Sequence, residues 1–267
     1  MTTNTNWAGM VPVDDTELFV QDSGGSGMPV LYLNGAYADL KHWQPIIGEL
    51  GDDDWRHITF DERARGRSKQ SADYSFEGCL RDIDAVLAAR NVDRVLLAGW
   101  SMGAIIGVLW AARNPDRARG IVCVDGAMPY GLTGEEGRER IRKLFGRMRL
   151  MLPIASRFGL AARMSAAQHA EVNIEINELG AGIAPTLDRL ACPVRYVLGT
   201  GDSLGSSGGE MEQVRKALDP VLARKPNIKV SAKVSSNHSK IMKKDFAAIA
   251  DAVREVQAAQ NEESPRT

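Results

Sequence analysis

A serine set between two glycines is the first feature of this chain that could do chemistry. Ser101 lies in the stretch AGWSMGA, directly after the apolar run 95–98. A strand that turns sharply into a helix exposes the residue at the turn, and close packing around it requires small neighbours. The pattern G-x-S-x-G is typical of such a nucleophile elbow. It therefore predicts that Ser101 is a nucleophile, with a serine in an ordinary turn as the alternative.

A nucleophilic serine needs a base to accept its proton, and the chain has four histidines. His238 lies in the stretch SSNHSK, after the last predicted strand and before the last predicted helix. We expect that loop at the same edge of the sheet as the serine, so His238 is the candidate base. We expect structural roles for His42, His57 and His169, with contact to the substrate as the alternative for His169.

The histidine in turn needs a carboxylate that fixes its tautomer and stabilises the imidazolium. Asp202, in the stretch VLGTGDS, follows one predicted strand, and Asp125, in CVDGAMP, ends the preceding one. The order of serine, aspartate and histidine along the chain fits either residue. We place Asp202 first and keep Asp125 as the alternative acid; both could also be aspartates of turns or helix caps.

The developing oxyanion of acyl transfer needs backbone N–H groups held ready. Met102 follows the serine at the predicted start of a helix, where unpaired donors and the helix dipole converge. A second donor is expected from the stretch NGAY, in which Gly35 allows close approach and Ala36 supplies the N–H. Tyr37 and Trp100 are expected to line the substrate pocket, with packing in the core as the alternative for Tyr37.

Strand-like and helix-like segments alternate along most of the chain, which is typical of the α/β class. We predict a mostly parallel central sheet with helices on both faces, formed by residues 1–127 and 189–258. Residues 128–188 lack a convincing strand and are predicted to form a helical insertion over the carboxyl ends of the strands, called the cap below. The tail 259–267 is predicted to be disordered.

The cap contains the stretch 144–164, which is rich in methionine, leucine and phenylalanine. This composition predicts an apolar surface that binds a compact hydrophobic substrate, with Met148, Met151 and Phe158 in contact with it. The alternative is that these side chains only pack the cap against the sheet.

The composition and net charge of the chain exclude some classes of function. The chain has 267 residues, of which 44% are hydrophobic and 25% charged, with a formal net charge of −1. We therefore expect neither nucleic acid nor a membrane as a partner. No secretory pattern, membrane-spanning stretch or metal-binding cysteine spacing is evident, so a cytoplasmic protein without metal or organic cofactor is expected. A homodimer is compatible with the sequence.

Together these segments resemble the α/β-hydrolase fold superfamily in its lidded, single-domain form. The stretch FDERARGRS resembles the D-x-R-G-x-G-x-S turn of that family, in which Asp61, Arg63, Gly66 and Ser68 are expected to have structural roles. The stretch GTGD resembles the family's acid loop and is the main reason for placing Asp202 first. The stretch NGAYADLKHW resembles the family's H-G segment, with Asn34 where histidine is usual.

The resemblance implies a serine hydrolase that cleaves a carboxylic ester or a lactone through an acyl-serine, without a cofactor. The same fold and triad also carry out carbon–carbon bond hydrolysis, cofactor-free haloperoxidase or oxygenase chemistry, and acyl transfer, and fold analogy does not choose among them. A ligand-binding member of the fold without turnover is a further alternative. Ser101 argues against dehalogenase and epoxide hydrolase chemistry, which would place an aspartate at that position.

Overall fold

A central sheet runs through the computed structural model, which describes residues 6–201 and 208–263 and forms eight strands within them. The strands are β1 (Trp7–Val13), β2 (Thr16–Asp22), β3 (Met28–Leu33), β4 (Trp55–Phe60), β5 (Val95–Trp100), β6 (Ala118–Val124), β7 (Val194–Gly199) and β8 (Ile228–Val234).

The order of the strands across the sheet is β1-β2-β4-β3-β5-β6-β7-β8. The pairs β1–β2 and β2–β4 are antiparallel, and the remaining neighbours are parallel. The predicted mostly parallel sheet is therefore confirmed. Because β5, β6 and β7 are parallel neighbours, the loops that follow them lie at one edge of the sheet, which is where open α/β sheets bind ligands.

Helices cover both faces of the sheet because successive side chains of a strand point to opposite faces, and here both faces are apolar. Leu97 and Ile121 pack with Ile83 and Ile106 on one face. Leu96 and Val122 pack with Ile46 and Val253 on the other. The helices outside the cap are α1 (Gln44–Leu50), α2 (Phe76–Ala89), α3 (Met102–Arg113), α8 (Gly208–Lys216), α9 (Asp219–Arg224), α10 (Ile241–Lys244) and α11 (Phe246–Glu263).

Four helices lie between β6 and β7, where the sequence predicts the cap. They are α4 (Gly134–Met148), α5 (Leu152–Arg157), α6 (Ala166–Ala181) and α7 (Ala184–Arg189). Ile141, Phe145, Leu152 and Ile174 form a separate small cluster that joins α4, α5 and α6. Leu187 of α7 belongs instead to the main cluster on the sheet.

Two terminal segments differ from the sequence-based expectation. β1 was not predicted; it pairs with β2 through a hairpin in which Asp14 has a φ of 48°, and the dipeptide Asp14–Asp15 is a turn signal of the right length. The tail from residue 259 was expected to be disordered, whereas α11 continues through Glu263. Alanine, glutamine and glutamate favour a helix there, and the first residue that opposes one is Pro265. Residues 264–267 lie outside the described ranges.

Within those ranges, no helix combines the length and the apolar character that crossing a bilayer requires.

Candidate active site

The turn that carries Ser101 connects β5 to α3. Ser101 has a φ of 56° and a ψ of −115°, a conformation that few L-residues adopt and that persists only where the surroundings hold it. Its N–H donates to the carbonyl oxygen of Val124, at the end of β6, over 2.9 Å. The strand–turn–helix context that a nucleophile elbow requires is therefore present.

Glycines make this turn sterically possible. A Cβ on Gly103 would lie 2.2 Å from the carbonyl oxygen of Leu33, and a Cβ on Gly99 would lie 2.4 Å from the carbonyl oxygen of Gly103. A Cβ on Gly126 would lie 2.3 Å from the carbonyl oxygen of Ser101. Each obstacle is backbone. A side chain at Gly103 or Gly126 would push the turn away from β3 or from the loop after β6, and one at Gly99 would separate β5 from the start of α3.

His238 contacts a buried carboxylate. Its Nδ1 lies 2.8 Å from Oδ2 of Asp125, whose side chain is fully buried while that of His238 is 34% exposed. A carboxylate oxygen accepts hydrogen bonds, so Nδ1 carries the proton of the neutral ring and Nε2 carries the lone pair. This is the tautomer that a general base for a serine hydroxyl needs.

Asp125 is held at the end of β6 by two backbone contacts. Its Oδ1 accepts from the N–H of Gly199, at the end of β7, over 3.1 Å. Its own N–H donates to the carbonyl oxygen of Val197 over 2.9 Å. The two carboxylate oxygens therefore have different partners, which fixes the plane of the carboxylate and aims Oδ2 at His238.

These contacts replace the expected acid Asp202 with the alternative, Asp125, as the candidate. Asp202 itself lies outside the described residues. Nδ1 has one N–H, and Asp125 already accepts it at a short distance. β6 and β7 end side by side, so an aspartate after either strand fits the order of serine, acid and histidine along the chain. Which aspartate contacts His238 depends on packing, which the sequence does not show.

The other three histidines have different surroundings. His57 is buried, with Nδ1 2.8 Å from the Tyr32 hydroxyl and Nε2 2.9 Å from the carbonyl oxygen of Gly51. His169 is buried in α6, with Nε2 3.2 Å from the carbonyl oxygen of Ala162. His42 lies exposed beside Asp39.

The loop after β3 begins with a buried hydrogen-bond network around Asn34. The Asn34 N–H and its Nδ2 donate to Oε1 and Oε2 of Glu62, each over 2.8 Å. Nδ2 also donates to the carbonyl oxygen of Phe60 over 2.8 Å, and Oδ1 accepts from Nε1 of Trp43 over 2.9 Å. The backbone N–H, the Nδ2 and the Oδ1 of Asn34 are therefore all hydrogen-bonded. Asn34 stands at the position where the family that the sequence resembles usually has histidine.

Glu62 is a functional candidate that the sequence reasoning missed. Burial raises the pKa of its carboxyl to about 7, although the Arg65 guanidinium and the Asn34 donors lower it in part. The available signal was the third position of the stretch FDERARGRS, where a second carboxylate follows the buried end of β4. Asp61 of the same turn has the structural role expected of it, since it accepts from the N–H groups of Leu40 and Arg67.

Arg65 holds the candidate oxyanion loop from the opposite side. Its Nε donates to the carbonyl oxygen of Ala36 over 2.8 Å, and the residue is almost fully buried. Gly35 lies against Trp100, where a Cβ would meet the indole at 3.1 Å. The loop that carries the Ala36 N–H is therefore fixed by a charged group and by an aromatic ring.

The other predicted oxyanion donor, Met102, is the first residue of α3. N–H groups in the first turn of a helix have no partner within the helix, and the positive end of the helix dipole lies there. Its side chain is buried in the main cluster on the sheet. Met102 thus presents a backbone donor beside Ser101 while its thioether anchors the start of α3.

Of the predicted pocket residues, two lie near this corner. The Trp100 ring is centred 5.6 Å from the ring of His238. The Tyr37 hydroxyl accepts from Nδ2 of Asn173 over 3.0 Å, and its ring stacks on His169 at 5.9 Å. Tyr37 therefore connects the candidate oxyanion loop to α6 of the cap.

The three predicted pocket residues of the cap are placed elsewhere. Met148 is half-buried against the small cluster of the cap. Met151 and Phe158 are 66% and 74% exposed. Leu152 and Phe145 fill the inward side of α4 and α5, and the contact of Met151 and Phe158 with a substrate stays a prediction.

A sequence model of the α/β hydrolase fold matches residues 28–190, which is more than half of the chain. The match spans β3, the elbow and the cap. The protein belongs to the α/β-hydrolase fold family.

Curated relatives match a shorter part of the chain. An AB hydrolase superfamily protein of Bacillus subtilis is 32% identical over 98 residues, which cover 36% of this chain and 36% of that relative. A haloalkane dehalogenase of Agrobacterium fabrum is 34% identical over 98 residues, covering 36% of this chain and 32% of the relative. The chain thus aligns with about a third of the length of these relatives.

Among solved structures, the enol-lactonase from Burkholderia xenovorans superposes with a TM-score of 0.63. The superposition covers 94% of this chain and 100% of that one at 17% sequence identity. At this sequence identity, the superposition shows only that the two proteins share a fold.

Proposed function

We propose that this protein is a serine hydrolase that cleaves a carboxylic ester or a lactone through an acyl-serine intermediate. The observation that carries the proposal is the short contact between His238 and the buried Asp125, formed by the loops next to the strained turn of Ser101. A ligand-binding protein without turnover would have no need of a histidine held in one tautomer at that place.

In the first step, Nε2 of His238 accepts the proton of the Ser101 hydroxyl as Oγ attacks the carbonyl carbon of the substrate. The Nδ1–H of the resulting imidazolium stays hydrogen-bonded to Asp125, which stabilises the positive charge. Because the Asp125 carboxylate is fixed by Gly199, little reorganisation accompanies the proton transfer.

The carbonyl oxygen becomes an oxyanion, and the backbone N–H groups of Ala36 and Met102 are its proposed donors. Arg65 supports this assignment, because it holds the carbonyl of Ala36 and thereby restricts the backbone of the residue whose N–H is the proposed donor. Donors fixed before the reaction stabilise the developing charge at no further cost in ordering.

The tetrahedral intermediate then expels the alcohol oxygen, which takes the proton from Nε2 of His238 and leaves an acyl group on Ser101. In a lactone this alcohol remains attached to the acyl chain. A water molecule next loses a proton to Nε2 and attacks the acyl carbon. Collapse of the second intermediate releases the acid and returns the proton to Oγ, so that the enzyme is regenerated.

The aromatic surfaces of Trp100 and Tyr37 support a compact substrate with an apolar acyl group. Trp100 lies beside the ring of His238, and Tyr37 lies where α6 of the cap reaches the oxyanion loop. Met151 and Phe158, which flank α5 and are exposed, give no support to this part of the proposal. It therefore depends on the aromatic pair.

The proposal is tested by labelling with a fluorophosphonate, which reacts with activated serine hydroxyls, and by turnover of p-nitrophenyl esters and simple lactones. Ser101→Ala is expected to abolish labelling and to lower kcat by about five orders of magnitude. A matched control is Ser231→Ala, on β8, whose hydroxyl donates to Glu255 and lies outside the site. Near-normal turnover by the Ser101 variant would overturn the mechanism.

The ester panel also separates the substrate claim from the mechanism. kcat/KM is expected to rise with the first few methylene groups of the acyl chain, because each buried methylene contributes about 0.8 kcal/mol. Turnover that requires Ser101 but shows no preference for apolar acyl groups would leave the mechanism in place and refute the substrate class.

A further inference from the structure

The outer surface of the cap carries a dense group of exposed apolar side chains. Eight large hydrophobic residues are exposed among those the structure describes, and six of them fall within 17 residues of the cap. We call these six the outer patch: Leu144, Leu150, Met151, Ile154, Phe158 and Leu160, which are 51% to 76% exposed. Scattered exposed leucines are normal on soluble proteins, but a concentrated group marks an interaction surface.

Helical spacing places members of the outer patch on one side of α5. Met151, Ile154 and Phe158 are three and four residues apart, so they share a face of the helix and its flanks. Leu152 lies on the opposite face and is buried with Phe145 in the small cluster of the cap. α5 therefore has apolar side chains on two faces, one buried in the cap and one turned to solvent.

Basic residues are interleaved with the outer patch. The segment 140–163 contains seven lysines and arginines and no aspartate or glutamate, although the whole chain has a net charge of −1. Arg140, Arg147, Arg149 and Arg157 are exposed, and none makes an ion pair with a carboxylate that the structure describes. Arg142 and Lys143, by contrast, pair with glutamates of α4 and α6. The net charge, from which we expected no membrane partner, thus does not reveal the four unpaired arginines beside the outer patch.

We propose that the outer patch docks the protein on an anionic lipid bilayer. Exposed leucine, isoleucine and phenylalanine beside unpaired arginines are the combination that inserts into the boundary between headgroups and acyl chains. The arginines would lie against anionic headgroups while the apolar side chains enter the interface.

A second copy of the chain is a poorer occupant of the outer patch. A two-fold dimer would place the same surface on both sides of the interface. The unpaired arginines of the two copies would then face each other with no acidic residue in 140–163 to compensate them. An anionic lipid surface fits both the apolar side chains and the charge.

The test is flotation of the full-length protein with vesicles of phosphatidylcholine, with or without about 30 mol% phosphatidylglycerol. We expect binding to the anionic vesicles, weakened by salt at about 0.5 M, and little binding to the neutral ones. Binding is read directly as protein in the floated fraction, so the result is independent of whether Ser101 hydrolyses esters.

Two double variants test the apolar and the charged part of the surface separately. Leu150→Gln/Ile154→Gln removes apolar surface, and Arg147→Ser/Arg149→Ser removes two charges; each is expected to lower the bound fraction about tenfold or more. Lys229→Ser/Lys233→Ser removes the same charge from exposed positions on β8 and is expected to bind as the wild type does. Circular dichroism and the thermal midpoint confirm that each variant is folded.

Three results would overturn the proposal. The first is no binding to anionic vesicles, and the second is equal loss of binding in the β8 control. The third is a dimer in sedimentation velocity that Leu150→Gln/Ile154→Gln converts to a monomer, which would make a second copy the occupant of the outer patch.

Discussion

The corner of the sheet around Ser101 and the cap are built on different principles. At the corner, backbone atoms approach so closely that glycine is required, and a buried carboxylate fixes the histidine. In the cap, α4 to α6 share a small apolar cluster and leave the outer patch exposed. The difference indicates that the geometry of the corner is encoded by steric exclusion, whereas that of the cap depends on a few side-chain contacts and tolerates change.

Paired glycine substitutions test this difference with the largest expected effect. In Gly103→Ala, the new Cβ would lie 2.2 Å from the Leu33 carbonyl oxygen, so we expect a loss of about 3 kcal/mol in the free energy of unfolding. Gly146→Ala, in an exposed turn of α4, meets no atom within 4 Å. There alanine improves helix propensity and should stabilise the protein by about 0.5–1 kcal/mol. Urea unfolding measures the change in stability of both variants. Equal changes would contradict the difference between the sterically constrained corner and the tolerant cap.

Neighbouring residues of α5 test how the cap is held together. Leu152→Ala removes a side chain that is only 3% exposed and should cost about 2–3 kcal/mol by leaving a cavity. Met151→Ala removes one that is 66% exposed and should change stability by less than about 0.5 kcal/mol. A loss of stability in the Met151 variant as large as that in the Leu152 variant would show that the outer patch is packed against other parts of the chain.

Glu62→Gln tests the network behind the oxyanion loop and has the smallest expected effect. The amide cannot accept from both Asn34 donors, so a loss of about 1–2 kcal/mol is expected at pH 5. The pKa of Glu62 rises from 4.5 to about 7 on folding, so the folded protein binds more protons than the unfolded chain between these values. The stability that Glu62 contributes by binding this proton therefore falls as pH rises from 4.5 through about 7.

The advantage of the wild type over Glu62→Gln should therefore shrink between pH 5 and pH 8. Urea unfolding at both pH values measures it. A gap that widens with pH would mean that the carboxylate is stabilised by its donors more than burial destabilises it.

Much of the corner could be predicted because its constraints are local. The glycine spacing around Ser101 and the place of His238 after the last strand are visible in the sequence. The choice between Asp125 and Asp202 depends on how two neighbouring strands end, and the role of Glu62 depends on a loop 28 residues away. Such long-range pairings leave no periodic signal.

In the cap, the sequence predicted less of the structure than it did at the corner. Its helical character and its apolar composition were visible, but composition does not tell which side of a helix is buried. Leu152 points inward and Met151 outward although the two are adjacent. The strand β1 was missed because Gly9 and Pro12 weaken its strand pattern.

The most direct test of the account is a comparison of Asp125→Asn with Asp202→Asn in the same ester assay. Asparagine keeps the shape of the side chain and tolerates the positive φ of Asp125, but it cannot stabilise the imidazolium. We predict that Asp125→Asn lowers kcat by about 10³–10⁴-fold, with an unchanged fold, and that Asp202→Asn changes kcat by less than about threefold. The reverse result, a severe loss in the Asp202 variant and a mild one in the Asp125 variant, would contradict the assignment of the acid.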